Sequence, residues 1–297
     1  MDLTSEVVIR DLFKKYKLRP SKRFGQNFLI DKGVLGKIIE AANLQPEDIV
    51  LEIGPGFGTL TVELAKKVHP VKSLRSKFNG AGKVIAIEKD SKMIEILKET
   101  LKDFKNIEII QEDILTIPDS RFQILNSDKV VANLPYYIVS PVIRRFLESE
   151  VPPKEMILMV QKEVAQRICG EPPDMSLLAV SVQFYAEPEI ISYVPKTSFW
   201  PQPKVDGAII KIVPYKAAPY QYLRYDTGLR EQFFKIVRFG FSQPRKQILN
   251  NLSKMLKLDK ETIKSWLLKN NIQPQQRAET LDVEDWIKLS KSFEINQ

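Results

Sequence analysis

Short apolar runs separated by helical stretches dominate the first part of the chain. The runs are DIVLEI (48–53), KVIAIE (83–88), IEII (107–110), KVVAN (129–133) and MILMV (156–160). Several of them are continuous rather than alternating, which is typical of strands that are buried on both faces of a parallel sheet. Because strands and helices alternate, the pattern predicts an α/β fold with a doubly wound sheet.

Two helices are predicted before the first of these strands. The first lies within the first 20 residues and is amphipathic, with apolar positions at Val7, Val8, Leu12 and Phe13. The second runs from Asp31 to Ala42. Asp31 is the predicted N-cap of this helix, because a carboxylate there can accept hydrogen bonds from the first free N–H groups.

The pattern changes from about Glu187. EIISYV (189–194) and KVDGAIIKIV (204–213) are predicted to be later strands and an antiparallel addition to the sheet. After Pro214 the pattern is helical, near 229–240, 245–256, 259–269 and 282–292. The sequence therefore predicts an α/β domain over residues 1–214, with an N-terminal helical and basic extension, and a small α-helical C-terminal domain over residues 215–297.

Charge and composition narrow the class of partner. The 297-residue chain has a net charge of +8, with basic clusters at 14–23, 66–77 and 238–246. Such a charge favours polyanions, since lysine and arginine near phosphates release condensed counterions. We expect a cytoplasmic protein with no membrane association, because no apolar run approaches a membrane span and no signal peptide pattern is present.

The few metal-ligating and redox-active residues favour neither a disulfide framework nor a metal site. Cys169 is the single cysteine and His69 the single histidine. One cysteine excludes an internal disulfide and gives no metal cluster. His69 lies in a lysine-rich stretch and is interpreted as a solvated loop residue.

The stretch LEIGPGFGTL follows a predicted strand and opens a predicted helix. Gly54, Gly56 and Gly58 let the backbone turn tightly and approach a ligand beside the free N–H groups of the helix N-terminus. Glu88 ends the next predicted strand, where a carboxylate can accept both hydroxyls of a ribose. The spacing E-x-G-x-G-x-G, with Glu52 before the first glycine, differs from the GxGxxG of dinucleotide sites. This spacing disfavours an NAD oxidoreductase and resembles the S-adenosylmethionine site of Rossmann-like methyltransferases.

A further acid is consistent with S-adenosylmethionine as the ligand. Asp113, in QEDIL (111–115), follows the third of the five strands, where such methyltransferases place the acid that contacts the adenine amine. S-adenosylmethionine carries an α-ammonium and a positive sulfur, so surrounding carboxylates suit it.

The stretch NLPYY (133–137) follows the fourth strand, where an open α/β sheet presents its ligand crevice. An exocyclic amine on an aromatic ring is a poor nucleophile because its lone pair is delocalised. The side-chain oxygen of Asn133 and a nearby backbone carbonyl can accept its hydrogens and aim the lone pair at a methyl sulfonium. Tyr136 can stack on the ring. Tyr137 is predicted to pack in the core.

Eight sequence blocks together resemble a known family, the ribosomal RNA adenine N6,N6-dimethyltransferases. They are KRFGQNFLID (22–31), LEIGPGFGTLT (51–61), AIEKD (86–90), QEDIL (111–115), ANLPYYIVSPVI (132–143), MVQKEVAQRI (159–168), SFWPQPKVDGAI (198–209) and RKQILNNL (245–252). The resemblance spans nearly the whole chain. It implies an α/β, Rossmann-like class I S-adenosylmethionine-dependent methyltransferase with a small α-helical C-terminal domain.

The resemblance also implies a reaction and its partners. The expected reaction is transfer of two methyl groups to N6 of each of two adjacent adenosines in a hairpin near the 3′ end of small-subunit (16S) rRNA. The expected cofactor is S-adenosyl-L-methionine, without a metal. The expected partner is small-subunit rRNA within the immature small ribosomal subunit, and the expected state is a monomer.

Matching motifs assign residues to these roles. The cofactor site implied by the resemblance and the glycine motif consists of Asn27, Leu29, Gly54, Gly56, Glu88, Asp113 and Asn133. The catalytic residues implied for the target adenine are Asn133, Leu134 and Tyr136, with Phe199 packing on the opposite face of the base. This chain departs from the family pattern at Trp200, Gln202, Gly207 and Pro244, and in a longer loop at 69–82. These departures concern RNA docking rather than the methyl donor.

Other interpretations of the function stay open at this point. One is a non-catalytic RNA-binding or ribosome-assembly factor on the same fold. Another is a large-subunit rRNA adenine methyltransferase. A third is an N-methyltransferase that acts on DNA adenine or on a protein amide, which the basic clusters and the QNFL and PKVD blocks disfavour.

Overall fold

The structure, a computed structural model, describes residues 1–20, 25–68, 82–118, 127–215 and 226–293. His69 and the predicted surface loop at 69–82, except its last residue, lie outside these ranges, as do parts of the basic clusters at 14–23 and 66–77. Two compact units are present. The first comprises Met1–Ala165 and Glu189–Pro214, and the second comprises Gln166–Pro188 and Tyr215–Gln297.

The first unit contains most of the strands. They are β1 (Phe28–Leu29), β2 (Ile49–Ile53), β3 (Lys83–Glu88), β4 (Ile107–Gln111), β5 (Lys129–Asn133), β6 (Glu155–Gln161), β7 (Ala186–Val194), β8 (Phe199–Trp200) and β9 (Gly207–Pro214). Seven of them form one sheet in the order β4-β3-β2-β5-β6-β9-β7, and β1 pairs with β8 in a separate two-stranded ribbon. The predicted strands are confirmed.

The sheet is parallel from β4 to β6. Strand β9 runs antiparallel to β6, which confirms the predicted antiparallel addition. Along the chain, strands are added on one side of β2 up to β4 and then on its other side from β5. The strand order therefore reverses between β2 and β5, and a ligand crevice is expected at the carboxyl ends of these two strands.

Five helices accompany the strands in the described part of the first unit. They are α1 (Glu6–Lys15), α2 (Lys32–Ala42), α3 (Thr59–Lys67), α4 (Ser91–Thr100) and α5 (Val139–Leu147). The predicted N-cap of α2 is confirmed, since the side chain of Asp31 accepts bonds from the N–H groups of Gly33 and Val34. The predicted helix α1 is confirmed, and Leu12 and Phe13 are buried together with Ile9, at i, i+3 and i+4. Val7, which was predicted on the same face, is exposed.

The second unit is helical. Helix α6 (Lys162–Ile168) crosses the division between the units, and the others are α7 (Leu177–Gln183), α8 (Thr227–Gly240), α9 (Ile248–Leu256), α10 (Lys260–Lys269) and α11 (Val283–Lys291). None of the described helices is long and apolar enough to cross a membrane.

Residues 166–188 belong to the second unit in the structure, whereas the sequence prediction places them in the first domain. Aromatic packing explains their position. The ring of Phe184 lies 4.3 Å from that of Phe233, and the ring of Tyr185 stacks on Phe234 at 6.0 Å. Burial of these large rings stabilises the segment against α8.

Candidate active site

Every residue assigned to the site from sequence lines one cavity in the first unit. These residues are Asn27, Leu29, Gly54, Gly56, Glu88, Asp113, Asn133, Leu134, Tyr136 and Phe199. They follow the carboxyl ends of β2, β3, β4 and β5, together with the β1–β8 ribbon. The cavity therefore lies at the reversal of strand order, where open α/β sheets bind ligands.

The loop between β2 and α3 depends on glycine. Gly54 and Gly56 have φ values of +68° and +58°, in the left-handed region that favours glycine. A Cβ atom at Gly56 would lie 3.0 Å from the ring of Phe28, and one at Gly54 would lie 3.8 Å from Pro135. A larger residue at Gly56 would therefore crowd the wall of the cavity.

Two carboxylates at the ends of β3 and β4 are held by hydrogen bonds. Glu88 Oε1 accepts a bond from the backbone N–H of Asp90 at 2.8 Å. Burial raises the pKa of Glu88, and backbone N–H groups, including that of Gly56, oppose this increase. The carboxylate is therefore fixed in place with acceptor capacity for a polar ligand.

Asp113 is bonded through both oxygens. Its Oδ1 accepts a bond from the N–H of Leu115 at 3.0 Å, and its Oδ2 pairs with Lys89 Nζ at 2.7 Å. Burial raises the pKa of Asp113, but the bonds from Lys89 and Leu115 outweigh burial and hold this pKa below its ordinary value. Asp113 therefore stays ionised at neutral pH.

Glu52, the acid of the glycine motif, is a third carboxyl on the cavity wall, and the sequence prediction of the site does not include it. It is 1% exposed. Its Oε2 and the nearby hydroxyl of Thr61 both lack a hydrogen-bond partner of normal geometry among the described residues. Burial raises the pKa of Glu52 to about 8, the nearby Thr61 hydroxyl opposes this increase, and the charge of Glu88 adds to it. The motif E-x-G-x-G-x-G was the signal that could have placed it in the site.

The amide of Asn133 has a defined orientation at the end of β5. Its Nδ2 donates to the backbone carbonyl of Asn27 at 3.1 Å. Since the nitrogen is thus engaged, the side-chain oxygen is the acceptor that remains for a ligand. Pro135 then leads into a short 3₁₀ turn, Tyr136–Ile138.

The two tyrosines of this turn have different environments. Burial raises the pKa of Tyr136, and the nearby charge of Asp206 adds to the increase. Tyr137 is 57% exposed and also lines the cavity, so its predicted core packing is wrong. Within the tight turn after Pro135, Ile138 rather than Tyr137 turns inward, at 8% exposure.

The β1–β8 ribbon brings distant parts of the chain to the cavity. Leu29 pairs with Phe199 in this ribbon, and the N–H of Ile30 donates to the carbonyl of Ser198 at 2.9 Å. Phe199 is buried, at 3% exposure, while lining the cavity. The QNFL and SFWP blocks are therefore adjacent in space, which their separation in the sequence does not reveal.

Comparison with known proteins decides what kind of site this is. A model of the family described as ribosomal RNA adenine dimethylase matches residues 17–294. The chain belongs to this family. Members of the ribosomal RNA adenine dimethylase family use S-adenosylmethionine as the methyl donor, and the chain is therefore an rRNA adenine dimethyltransferase with a class I methyltransferase fold.

Individual relatives agree with this assignment. The ribosomal RNA small subunit methyltransferase A of Dehalococcoides mccartyi (strain CBDB1) is 44% identical over 97% of this chain and 93% of its own length. A dimethyladenosine transferase from Plasmodium falciparum has a similar structure, with a TM-score of 0.68 and 29% identity over 88% of this chain and 95% of that one. The 23S rRNA methyltransferase ErmE has a TM-score of 0.66 and 26% identity over 90% and 99%, respectively.

The cavity of this ribosomal RNA adenine dimethylase fits S-adenosylmethionine. The glycine loop leaves room for close backbone contact, and the carboxyls suit a ribose and a positively charged ligand. The buried, unpartnered Oε2 of Glu52 is a polar group that a ligand can satisfy. Among the described residues, no group of three His, Cys, Asp or Glu side chains could hold a metal ion.

Proposed function

We propose that this chain transfers methyl groups from S-adenosylmethionine to N6 of two adjacent adenosines in a hairpin near the 3′ end of 16S rRNA. The observation that carries the proposal is the hydrogen bond from Asn133 Nδ2 to the carbonyl of Asn27, which leaves the side-chain oxygen of this cavity residue as the acceptor for a target amine. The name of the Dehalococcoides relative supports the small subunit as the substrate. We further propose that the acceptor is the immature small subunit and that the enzyme acts as a cytoplasmic monomer.

The first unit is the proposed methyltransferase domain. When bound, S-adenosylmethionine supplies an electrophilic methyl group on a positive sulfur. Glu88 is the proposed ribose acceptor and Asp113 the proposed partner of the cofactor adenine. The remaining proposed cofactor contacts come from Asn27, Leu29, Gly54, Gly56 and Asn133, which line the same cavity.

The target amine needs help because its lone pair is delocalised into the adenine ring. The Asn133 oxygen and the Leu134 carbonyl are proposed to accept its two hydrogens. These bonds favour a more pyramidal nitrogen and aim its lone pair towards the methyl group. Because the Asn27 bond already fixes the amide, little reorganisation is needed, and positioning supplies most of the rate enhancement.

Two aromatic rings are proposed to hold the base. Tyr136 is partly buried and lines the same cavity as Asn133, and Phe199 lies on the ribbon that forms another wall of that cavity. Stacking on such rings contributes roughly 1–3 kcal/mol per base. The two rings would grip opposite faces of one extruded adenine.

A second candidate substrate is large-subunit rRNA, because the structure of the 23S rRNA methyltransferase ErmE covers 90% of this chain. The full-length similarity to small subunit methyltransferase A favours the first candidate. A non-catalytic assembly factor is not favoured, since the cavity retains Glu88, Asp113 and Asn133 together.

Tritiated methyl transfer into unmethylated small and large ribosomal subunits tests the proposal. We expect label in N6,N6-dimethyladenosine of the small subunit only, identified by nucleoside analysis. Label confined to the large subunit would support the second candidate. Binding of S-adenosylmethionine without transfer to either subunit would support the assembly factor.

A further inference from the structure

Arg145 lies on α5 and holds the turn that follows β4. Its Nη1 donates to the backbone carbonyl of Leu115 at 2.7 Å, and its Nη2 donates to the carbonyl of Ile117. Arg145 is partly buried. Because a guanidinium is planar and its donors have a fixed arrangement, two simultaneous bonds define both the position and the orientation of the turn.

The turn that Arg145 holds is built around Asp113. The carboxylate Oδ1 of Asp113 accepts a bond from the N–H of Leu115 at 3.0 Å. Its backbone carbonyl accepts bonds from the N–H groups of Thr116 and Ile117 at 2.9 and 3.1 Å. Leu115 is therefore held on both sides, since its N–H is bonded to Asp113 and its carbonyl to Arg145. A change at Arg145 reaches the Asp113 carboxylate through one intervening residue.

The same turn forms part of the cavity wall. Residues 112–115 line the cavity, whereas Arg145 supports them from behind and does not line it. Burial raises the pKa of Asp113, but Lys89, the N–H of Leu115 and, to a smaller extent, the charge of Arg145 lower it. Arg145 therefore favours both the position and the charge of a wall residue without occupying the cavity itself.

Helix α5 gives Arg145 a rigid base. It begins at Val139, directly after the turn Tyr136–Ile138 at the proposed target site. Apolar residues of this helix are buried in the core, namely Val142, Ile143, Phe146 and Leu147. One packed helix thus follows the turn at the proposed target site and holds the turn at the proposed site of the cofactor adenine.

We propose that Arg145 is a positioning residue for the methyl donor, which holds the carbonyls of Leu115 and Ile117 so that Asp113 recognises the 6-amino group of the cofactor adenine. The inference rests on the proposed role of Asp113 and adds a determinant of adenine specificity outside the cavity. Loss of Arg145 should weaken recognition of the adenine and leave the methyl-transfer step unchanged.

The binding of two ligands to the full-length protein tests the proposal. One ligand is S-adenosylhomocysteine, and the other is its analogue with a hydrogen in place of the adenine 6-amino group. A hydrogen bond from this amine to an ionised carboxylate should make the wild type prefer the first ligand by roughly 10–100-fold. Calorimetry at pH 7 measures both dissociation constants.

Arg145→Met keeps an unbranched apolar side chain and removes both donors. We expect S-adenosylhomocysteine to bind about tenfold more weakly and the analogue to change less than about threefold, so that the preference falls. Arg145→Lys keeps the charge but has one ammonium in place of the planar fork, so it should recover only part of the preference. A merely structural role would weaken both ligands equally and leave their ratio unchanged, which would overturn the proposal.

Arg144→Met is the matched control, because Arg144 is the adjacent arginine on α5. Its side chain is 75% exposed, and its Nε lies 3.0 Å from Glu148 Oε1. The substitution removes the same charge from the same helix and leaves the bonds to Leu115 and Ile117 in place, so both ligands should bind as they do to the wild type. If it lowered the preference as much as Arg145→Met, net charge rather than the bonds of Arg145 would be responsible, and the proposal would fail.

Single-turnover methylation separates binding from chemistry. At saturating donor, Arg145→Met should transfer methyl groups within about twofold of the wild-type rate, whereas at low donor its rate should fall with its affinity. A large loss of rate at saturating donor would contradict a role confined to positioning the donor. If Arg145→Met does not fold, Arg145→Lys carries the test, since it should still show a reduced preference.

The outcomes for the wild type distinguish this inference from the proposed function. An unchanged preference in the folded Arg145 variants would overturn the inference and leave the proposed methyl transfer intact. Binding of both ligands with equal affinity by the wild type would overturn the role of Asp113 and this inference together. If the wild type binds neither ligand, the proposed function fails as well.

Discussion

The amino ends and the carboxyl ends of the parallel strands both bury charged side chains. At the amino ends, Lys129 Nζ lies 2.8 Å from Glu155 Oε1, 3.4 Å from Asp48 Oδ2, and within 2.8 Å of the carbonyls of Ala42 and Asn43. At the carboxyl ends, Glu52 has an oxygen with no partner among the described residues, and Asn133 presents an acceptor to the cavity.

The difference between the two ends of the strands distinguishes buried polar groups that stabilise the fold from buried polar groups that can bind a ligand. A buried charge whose bonds are all made within the protein holds elements together and offers nothing to a ligand. A buried polar group with a bond left to make costs free energy until a ligand supplies it. We therefore expect substitutions at the amino ends to change the free energy of unfolding, and substitutions at the carboxyl ends to change binding and turnover.

The largest effect is expected for Lys129→Met. Removal of the ammonium leaves Glu155 and Asp48 buried without their main counter-charge, which typically costs about 3–5 kcal/mol. Lys211 still pairs with Glu155 at 3.0 Å and limits the loss to this range. The free energy of unfolding in urea measures the change.

Lys154→Met is the control for that substitution. Lys154 pairs with Asp128 at the same end of the sheet, at 2.7 Å, but its side chain is 61% exposed. Removing this exposed pair should cost less than about 1 kcal/mol. Similar losses for the two variants would show that burial of the ion pair is unimportant here.

The next effect concerns turnover rather than stability. Asn133→Ala removes the acceptor from the proposed target amine, and loss of one preorganised hydrogen-bonding group lowers kcat by roughly 10²–10³-fold. The lost bond to Asn27 should cost only about 1 kcal/mol of stability. Single-turnover methylation measures the first quantity and urea unfolding the second. Unchanged turnover would refute the assigned role, and RNA affinity should be largely retained.

A smaller effect is expected for Gly56→Ala. Left-handed backbone costs a residue with a Cβ about 1–2 kcal/mol, and the added atom would lie 3.0 Å from Phe28 on the cavity wall. Donor affinity, measured by calorimetry, should fall together with stability.

Gly36→Ala is the matched control on α2. A Cβ atom at Gly36 has no neighbour within 4 Å. Alanine in a helix interior is favoured over glycine by roughly 0.5–1 kcal/mol, so this variant should be more stable and bind donor unchanged. If both variants bound donor equally well, the glycine loop would not limit the cavity.

Sequence patterns predict much of this architecture, because strand burial and helix capping are local properties. Continuous apolar runs predict β2 to β6, and an acid before an apolar periodic stretch predicts the cap at Asp31. The motifs also indicate residues that the structure brings to one cavity, since they follow consecutive strands of a parallel sheet. The glycine motif contains Glu52, but the sequence does not reveal that one of its side-chain oxygens is buried without a hydrogen-bond partner among the described residues.

Other features depend on contacts between distant residues and leave no local signal. Lys129 is one polar residue at the start of an apolar run, and its partners come from residues 42–155. The pairing of Leu29 with Phe199 likewise joins two short segments without strong strand patterns. The burial of Tyr137 is mispredicted for a different reason. The geometry of the turn after Pro135, rather than the polarity of the residues, decides which side chain is buried.

Helix α2 connects the two ends of the sheet and gives the smallest expected effect. Its C-terminal carbonyls bind Lys129, whereas its N-cap, Asp31, accepts a bond from the Ser198 hydroxyl at 2.8 Å, next to the cavity residue Phe199. This bond, followed by those from the N–H groups of α2, holds the pKa of Asp31 below its ordinary value. Its contribution to stability is therefore present above the unfolded pKa and lost as the pH falls through the lowered one.

Asp31→Asn keeps a capping oxygen but loses the charge, so the loss at pH 7 should stay under about 1 kcal/mol. Thermal unfolding from pH 7 towards pH 2 should show the variant and the wild type converging. Ser198→Ala is the matched variant and should remove most of the same pH dependence, because the Ser198 hydroxyl is the largest cause of the shift. A constant difference between Asp31→Asn and wild type at all pH values would mean that the charge of Asp31 does not stabilise the contact between α2 and the wall of the cavity.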